Sequence, residues 1–256
     1  MNAQELISEL EALADKKQAS ILQGFFKTGK GEYGEGDVFL GIKVPIVRKT
    51  INKYSLDLKE IQALLESKIH EVRQAGLFIL TKEYENAKKD GSLKKQKEIV
   101  VFYLANTKHI NNWDLVDLTA PKILGDYLVD KKSERNILYE LAVSEKGLPS
   151  GARCPSAPKS FGWLWERRIA IISTFAFIDE CDFDDTLRLA KLFLCEEHDL
   201  MHKATGWVLR EVGKKDEKPL IDFLDKHGKV MPRTMLRYAI EQLDEKVRQH
   251  YLKSTK

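Results

Sequence analysis

The chain has 256 residues, with 42 lysines and arginines against 39 aspartates and glutamates, giving a formal net charge of +3. Hydrophobic residues make up 43% and charged residues 32%, a globular composition that excludes a disordered chain. The longest uncharged apolar run, residues 169–178, falls well short of the roughly 18 residues that cross a bilayer, so no membrane span is expected.

The elements read as helices from end to end. Over 5–16 the apolar residues Leu6, Ile7, Leu10 and Leu13 recur three and four apart, the spacing of one helix face. The same period runs over 57–66, 70–86, 91–105, 113–129, 134–143, 163–178, 182–196, 199–213, 216–227 and 232–241. Asn2, Asp57, Ser133, Asp182 and Asp199 each precede such a stretch and are expected to cap it. Pro45, Pro219 and Pro232 fall at or near first turns. No run alternates as a strand does, so the class is all-α. Two segments interrupt the pattern. Residues 28–41 hold five glycines and read as a flexible connector, and the Gly/Pro-rich stretch 146–162 reads as a loop inserted between helices.

A weak repeat runs through the helices. A basic residue stands one or two positions before an alanine in Arg73/Ala75, Arg168/Ala170, Lys203/Ala204 and Arg237/Ala239. The last three alanines are 34 and 35 residues apart, near the period of HEAT-type helix pairs. Such pairs stack because neither buries its apolar face alone, so an α-α superhelix with a basic concave groove is expected as a single domain over 1–256. A plain helical bundle would share much of this pattern.

The N-terminal residues show neither a basic nor an apolar signal region, so no secretory signal is expected. Cys154, Cys181 and Cys195 form an odd, sparse set that suits a reducing cytoplasm, the expected location. Gly29, Gly31 and Gly34 match G-x-G-x-x-G, but no strand precedes them and no βαβ unit follows, so they read as a loop. Cys195, His198 and His202 have a ligand-like spacing without a complete ligand set, so they read as a helix junction and no metal is expected.

Three stretches carry chemistry. In 111–117, Trp113 and Asp117 stand at i and i+4 and share a helix face. An indole face attracts a cation and a carboxylate stabilises one at short range. Core packing for Trp113 and a solvated or capping role for Asp117 are the alternative. In 165–171, Arg167 and Arg168 head an apolar helix. In 203–210, Lys203 and Trp207 are again i and i+4, with Arg210 about one turn on and Gly206 leaving room for a ligand or another backbone. If these stretches line one groove, the cations suit phosphates, and the indoles with the carboxylate suit a sugar.

These segments, with residues 39–48 and 231–241, resemble the AlkD-type DNA alkylation repair glycosylases in the same order over most of the chain. The resemblance implies a HEAT-like fold and excision of N3- or N7-alkylated purines from double-stranded DNA without metal or cofactor. It assigns catalytic roles to Asp117, Trp113, Trp207 and Arg168. Contacts to DNA fall to Arg210, Arg48 and Tyr33, and Lys43, Lys203 and Arg167 are further candidates. Two departures stand out: the 146–162 stretch lengthens the interval from Asp117 to Arg168, and Lys43 and Val44 are less polar than the loop they match. Alkylation makes the purine a good leaving group, and the sugar develops oxocarbenium character that a carboxylate stabilises. No lysine nucleophile is called for, so a monofunctional hydrolase without lyase activity is expected, and a monomer suits the groove. A non-catalytic binder of damaged or branched DNA and a protein-binding scaffold are the competing readings.

Overall fold

Asn2 opens the first helix as its residue type requires. Its Oδ1 accepts from the Glu5 N–H at 2.9 Å while the Glu5 carboxylate accepts from the Asn2 N–H at 3.1 Å, so two end donors are satisfied reciprocally. The computed structural model describes residues 2–143 and 163–254, and the 146–162 stretch lies outside the described residues. The chain divides into two compact units, Met1–Leu115 and Val116–Lys256.

The first unit holds α1 (Ala3–Ala12), α2 (Lys16–Phe25), α3 (Val44–Ile51), α4 (Leu58–Leu65), α5 (His70–Lys89) and α6 (Leu93–Ala105). Asp57 caps α4 and Pro45 sits in the first turn of α3, as the sequence suggests. The core is α5, which packs against α1, α3, α4 and α6. Its Val72, Ala75, Leu77, Ile79, Leu80 and Tyr84 are buried, each large side chain contributing about 1.5–3 kcal/mol. One helix of this unit, α2, is missing from the sequence reading, and α3 is signalled there only by the first-turn Pro45. No residue of α2 is buried, and its large apolar residues Ile21, Leu22 and Phe25 are confined to its second half, too short a stretch to establish a period. The glycine-rich connector is irregular but pinned rather than loose. The N–H groups of Leu40, Gly41 and Ile42 all donate to the buried Glu71 carboxylate, at 2.8–3.1 Å. Val38 and Ile69 form an isolated parallel bridge, and the described residues contain no strand.

A further helix, α7 (Trp113–Ala120), runs from the first unit into the second. Pro121 cannot donate to the carbonyl four residues back, and the helix widens there into a π turn over Pro121–Gly125 before α8 (Asp126–Leu128). The second unit continues with α9 (Asn136–Val143), α10 (Leu164–Ser173), α11 (Phe175–Asp179), α12 (Asp184–Leu192), α13 (Asp199–Lys215), α14 (Glu217–His227), α15 (Arg233–Ala239) and α16 (Glu245–Ser254). The single helix expected over 163–178 breaks at Thr174. The hydroxyls of Ser173 and Thr174 donate back to the carbonyls of Ile169 and Ile171, both at 2.7 Å, and such bonds bend a helix. The core of this unit is α13, which packs on α10, α11, α12, α14 and α15.

Three expected caps fail, each for a visible reason. Ser133 lies inside a short 3-10 turn, Lys132–Glu134. The Asp182 carboxylate is taken by Arg135 and Lys132, both at 2.9 Å. Asp199 pairs with Lys203 at 2.7 Å, and His198 caps α13 in its place. No helix among the described residues is long and apolar enough to cross a membrane.

Candidate functional site

Arg168 stands in the middle of α10 and is buried. A buried guanidinium needs acceptors for its fork of donors, and three are in place. Nε and Nη2 donate to Asp117 Oδ1 and Oδ2 at 2.8 and 2.7 Å, and Nη1 donates to the Leu200 carbonyl at 2.7 Å. This parallel two-point contact fixes the plane of the carboxylate as well as its position. The two side chains differ in access, with 6% of Arg168 and 13% of Asp117 exposed. The arginine is enclosed, and the carboxylate keeps an edge toward solvent.

Trp207, on α13, is half-buried with its ring 4.6 Å from that of Phe175. The room beside it is filled by another backbone: a Cβ at Gly206 would stand 2.5 Å from the Met235 carbonyl of α15. Of the two outcomes that Gly206 left open, close helix approach is the one observed. Arg210 is bonded to Glu241 and lies 3.3 Å from Glu211. Lys203 reaches Asp199 on an exposed face. Arg167 is buried, unlike a groove cation, with Nε 3.2 Å from Glu196 Oε2, and burial pulls its pKa down against the Glu196 charge. His198 Nδ1 accepts from the Leu200 N–H, and His202 Nε2 lies 2.6 Å from the Glu196 carbonyl. Burial lowers the His198 pKa, consistent with a neutral ring accepting at Nδ1. Among the described residues no group of three or more His, Cys, Asp or Glu could hold a metal.

In the first unit Trp113 is half-buried and lies flat on Phe26, with centroids 5.2 Å apart and planes at 18°, while Phe25 meets it edge-on at 5.9 Å. Lys43 is exposed at the head of α3, and the exposed Arg48 lies over the Phe78 ring at 4.4 Å. Tyr33 is partly exposed, with its hydroxyl 3.5 Å from the Phe25 carbonyl.

Sequence reasoning missed a buried ionic cluster in the same unit. His70 Nδ1 faces Asp37 Oδ2 at 3.0 Å and Nε2 faces Asp114 Oδ2 at 2.8 Å. Arg73 Nη2 donates to Asp37 Oδ1 at 2.5 Å, Asn112 donates to Asp37 Oδ2 at 3.3 Å, and Gln74 donates to Asp114 Oδ2 at 2.9 Å. Both neighbours of the ring are carboxylates, so both ring nitrogens donate and the ring is an imidazolium. Burial alone would push His70 down, but Asp114 and Asp37 outweigh it and hold the pKa up at about 9. Burial would raise Asp37, but the His70 hydrogen bond and the Arg73 charge leave it below the usual carboxylate range. The partners come from positions 37, 70, 73 and 114, and no local spacing signals their meeting.

With this geometry in place, comparison with known proteins gives a family. The sequence profile of the DNA alkylation repair enzyme family matches residues 6–148 and 162–243. No curated protein matches the chain by sequence. A solved structure of a predicted DNA alkylation repair enzyme from Enterococcus faecalis superposes with a TM-score of 0.64 at 17% identity, covering 91% of this chain and 97% of that one. At that identity the likeness speaks for the fold. The profile spans most of the chain, and the protein belongs to the DNA alkylation repair enzyme family.

Proposed function

We propose that the protein is a monofunctional DNA glycosylase that hydrolyses the N-glycosidic bond of N3- or N7-alkylated purines in duplex DNA, on a HEAT-like helical scaffold and as a cytoplasmic monomer. The observation that carries this reading is the two-point hold of Arg168 on a carboxylate that retains access to solvent. A site for a sugar cation needs a fixed negative group that does not have to reorganise as charge develops, and a guanidinium fork provides that fixity.

The alkylated base already carries a positive charge. As the C1′–N bond breaks, its electron pair neutralises the purine and leaves oxocarbenium character at C1′. Asp117 stabilises that cation and receives the proton of the water that adds to C1′. Arg168 keeps the plane of the carboxylate oriented and in place. Trp113 and Trp207 offer ring faces to the deoxyribose. Arg210, Arg48, Lys43, Lys203 and Tyr33 meet the DNA backbone, with Arg210 exchanging Glu241 for a phosphate. Arg167 supports the fold beside Arg168 through Glu196.

The test is release of 7-methylguanine and 3-methyladenine from methylated duplex DNA. Asp117→Asn is expected to lower release about 10²–10³-fold, the usual cost of removing one preorganised electrostatic group, while folding and DNA binding persist. Unchanged release by this variant rejects Asp117 as the catalytic group. One observation favours a second reading, a DNA-binding protein without hydrolysis: both Asp117 oxygens already serve Arg168. A folded wild type that binds duplex DNA and releases neither base establishes that alternative.

A further inference from the structure

The residues on both sides of Trp113 are tied to one buried centre. Asn112 donates to Asp37 and also accepts from the Trp113 N–H at 2.9 Å, while Asp114 accepts from His70. The indole itself rests on Phe26. Phe26 in turn packs on Phe39 at 4.9 Å and on His70 at 5.1 Å, and Phe39 stacks on His70 at 4.5 Å with planes at 21°. The backbone and the ring of Trp113 are thus both referred to the same imidazole. His70 and Asp37 are enclosed, with side chains 2% and 4% exposed. Asp114 Oδ1 is buried without a hydrogen-bond partner among the described residues, so the Asp114 charge leans on His70 and Gln74 through its other oxygen.

We infer that His70 is a positioning residue for Trp113, setting the indole's place through Asp114 and Asn112 on the backbone side and through Phe26 and Phe39 on the ring side. His70 touches no substrate. The inference rests on the reading that Trp113 serves the excision reaction, and it extends that reading by naming what holds the indole. The groups that face the ring are Asp37 from the connector, Asp114 from α7 and the Phe26 and Phe39 rings. Arg73 and Asn112 act behind Asp37, and Gln74 acts behind Asp114.

The test uses the full chain carrying 5-fluorotryptophan, with the Trp113 resonance identified by its loss in Trp113→Phe. In His70→Gln that resonance is expected to shift and broaden while the Trp207 resonance stays in place. In the wild type it should also move as pH rises through about 9, where the ring loses its proton, and this step should vanish in His70→Gln. An unmoved Trp113 resonance in a folded His70→Gln overturns the inference. Should His70→Gln fail to fold, the wild-type pH titration decides, and a Trp113 signal flat across that range overturns it equally.

Excision then separates this inference from the reading beneath it. Single-turnover rates of His70→Gln, Trp113→Ala and the double variant should show the double no slower than Trp113→Ala alone, because His70 acts through the indole. Additive losses mark a general structural role and overturn the inference. Full activity in Trp113→Ala, with a resonance that still responds to His70, refutes the catalytic role of Trp113 and leaves the positioning intact.

Discussion

Each unit buries an arginine two residues before a buried alanine, Arg73 before Ala75 and Arg168 before Ala170, and each arginine meets an aspartate. The outcomes differ. In the first unit Asp37 is sealed between Arg73, His70 and Asn112, and a second carboxylate, Asp114, completes an alternating array of charges. In the second unit Arg168 holds Asp117 by two parallel bonds, and the carboxylate keeps an edge open to solvent. The same local device serves two ends. Enclosed and fully balanced, it holds chain segments together. Left open on one side, it presents a charge of the kind the proposed excision would use.

That contrast can be broken most forcefully at Asp37. Asp37→Asn removes a sealed charge and leaves His70 and Arg73 undercompensated, so unfolding in urea should show a loss of about 3–5 kcal/mol. Asp117→Asn should cost the fold clearly less on the same measurement, because water reaches that carboxylate, while costing excision far more. Equal stability losses at the two positions would erase the distinction between them.

The second test is pH. The His70 pKa stands above its ordinary 6.5, so the stability it contributes is complete below about pH 6.5 and is lost as pH climbs through about 9. The Asp37 pKa lies below its ordinary 3.8, so its contribution is complete above that value and is lost as pH falls further. The wild-type melting temperature should therefore decline on the alkaline side, and His70→Gln should flatten that decline. A wild-type profile level from pH 7 to 10 would show that the cluster does not hold His70 charged.

Smaller effects probe packing. Gly206→Ala forces a methyl group against the Met235 carbonyl and should cost about 1–3 kcal/mol, the range for overpacking, measured by thermal unfolding. Asn2→Ala removes a capping box at an exposed terminus and should cost about 1 kcal/mol, read from the same melts. It serves as the reference for a change remote from either arginine.

How much of this was legible in the chain depends on how local the cause is. Helices with an apolar stripe read directly: α4, α5, α6 and α13 lie close to their expected bounds. Helices whose apolar residues do not span several turns did not, as in α2, where they fall in the second half alone, and in α16, dense with charge. The failed caps have separate causes: Ser133 lies within a 3-10 turn, Asp182 is held by Arg135 and Lys132 from far along the chain, and Asp199 pairs with Lys203 one turn on. The alanine seam was legible, and Ala75, Ala170, Ala204 and Ala239 are all buried. Its basic residues are not equivalent, since Arg73 and Arg168 are buried, Lys203 is partly exposed and Arg237 is exposed. The family resemblance picked out Asp117 and Arg168, which the structure brings together. Nothing in the sequence marked His70, a lone histidine at the head of an apolar helix, because its meaning comes from aspartates 33 and 44 residues away.

The π turn after α7 has a consequence for which substitutions this chain can tolerate. It ends at Gly125, where a Cβ would lie 2.3 Å from the Ser173 carbonyl at the end of α10. Eight residues before that contact is Asp117, and five residues before Ser173 is Arg168. The glycine thus works as a spacer gauge, setting how near the two segments run and whether the guanidinium can reach the carboxylate with both arms. Any larger residue at 125 would leave Asp117 and Arg168 themselves unchanged and still pull the pair apart. A variant changed only at 125 would then keep both partners of the ion pair, with its defect recorded only in the width of a gap.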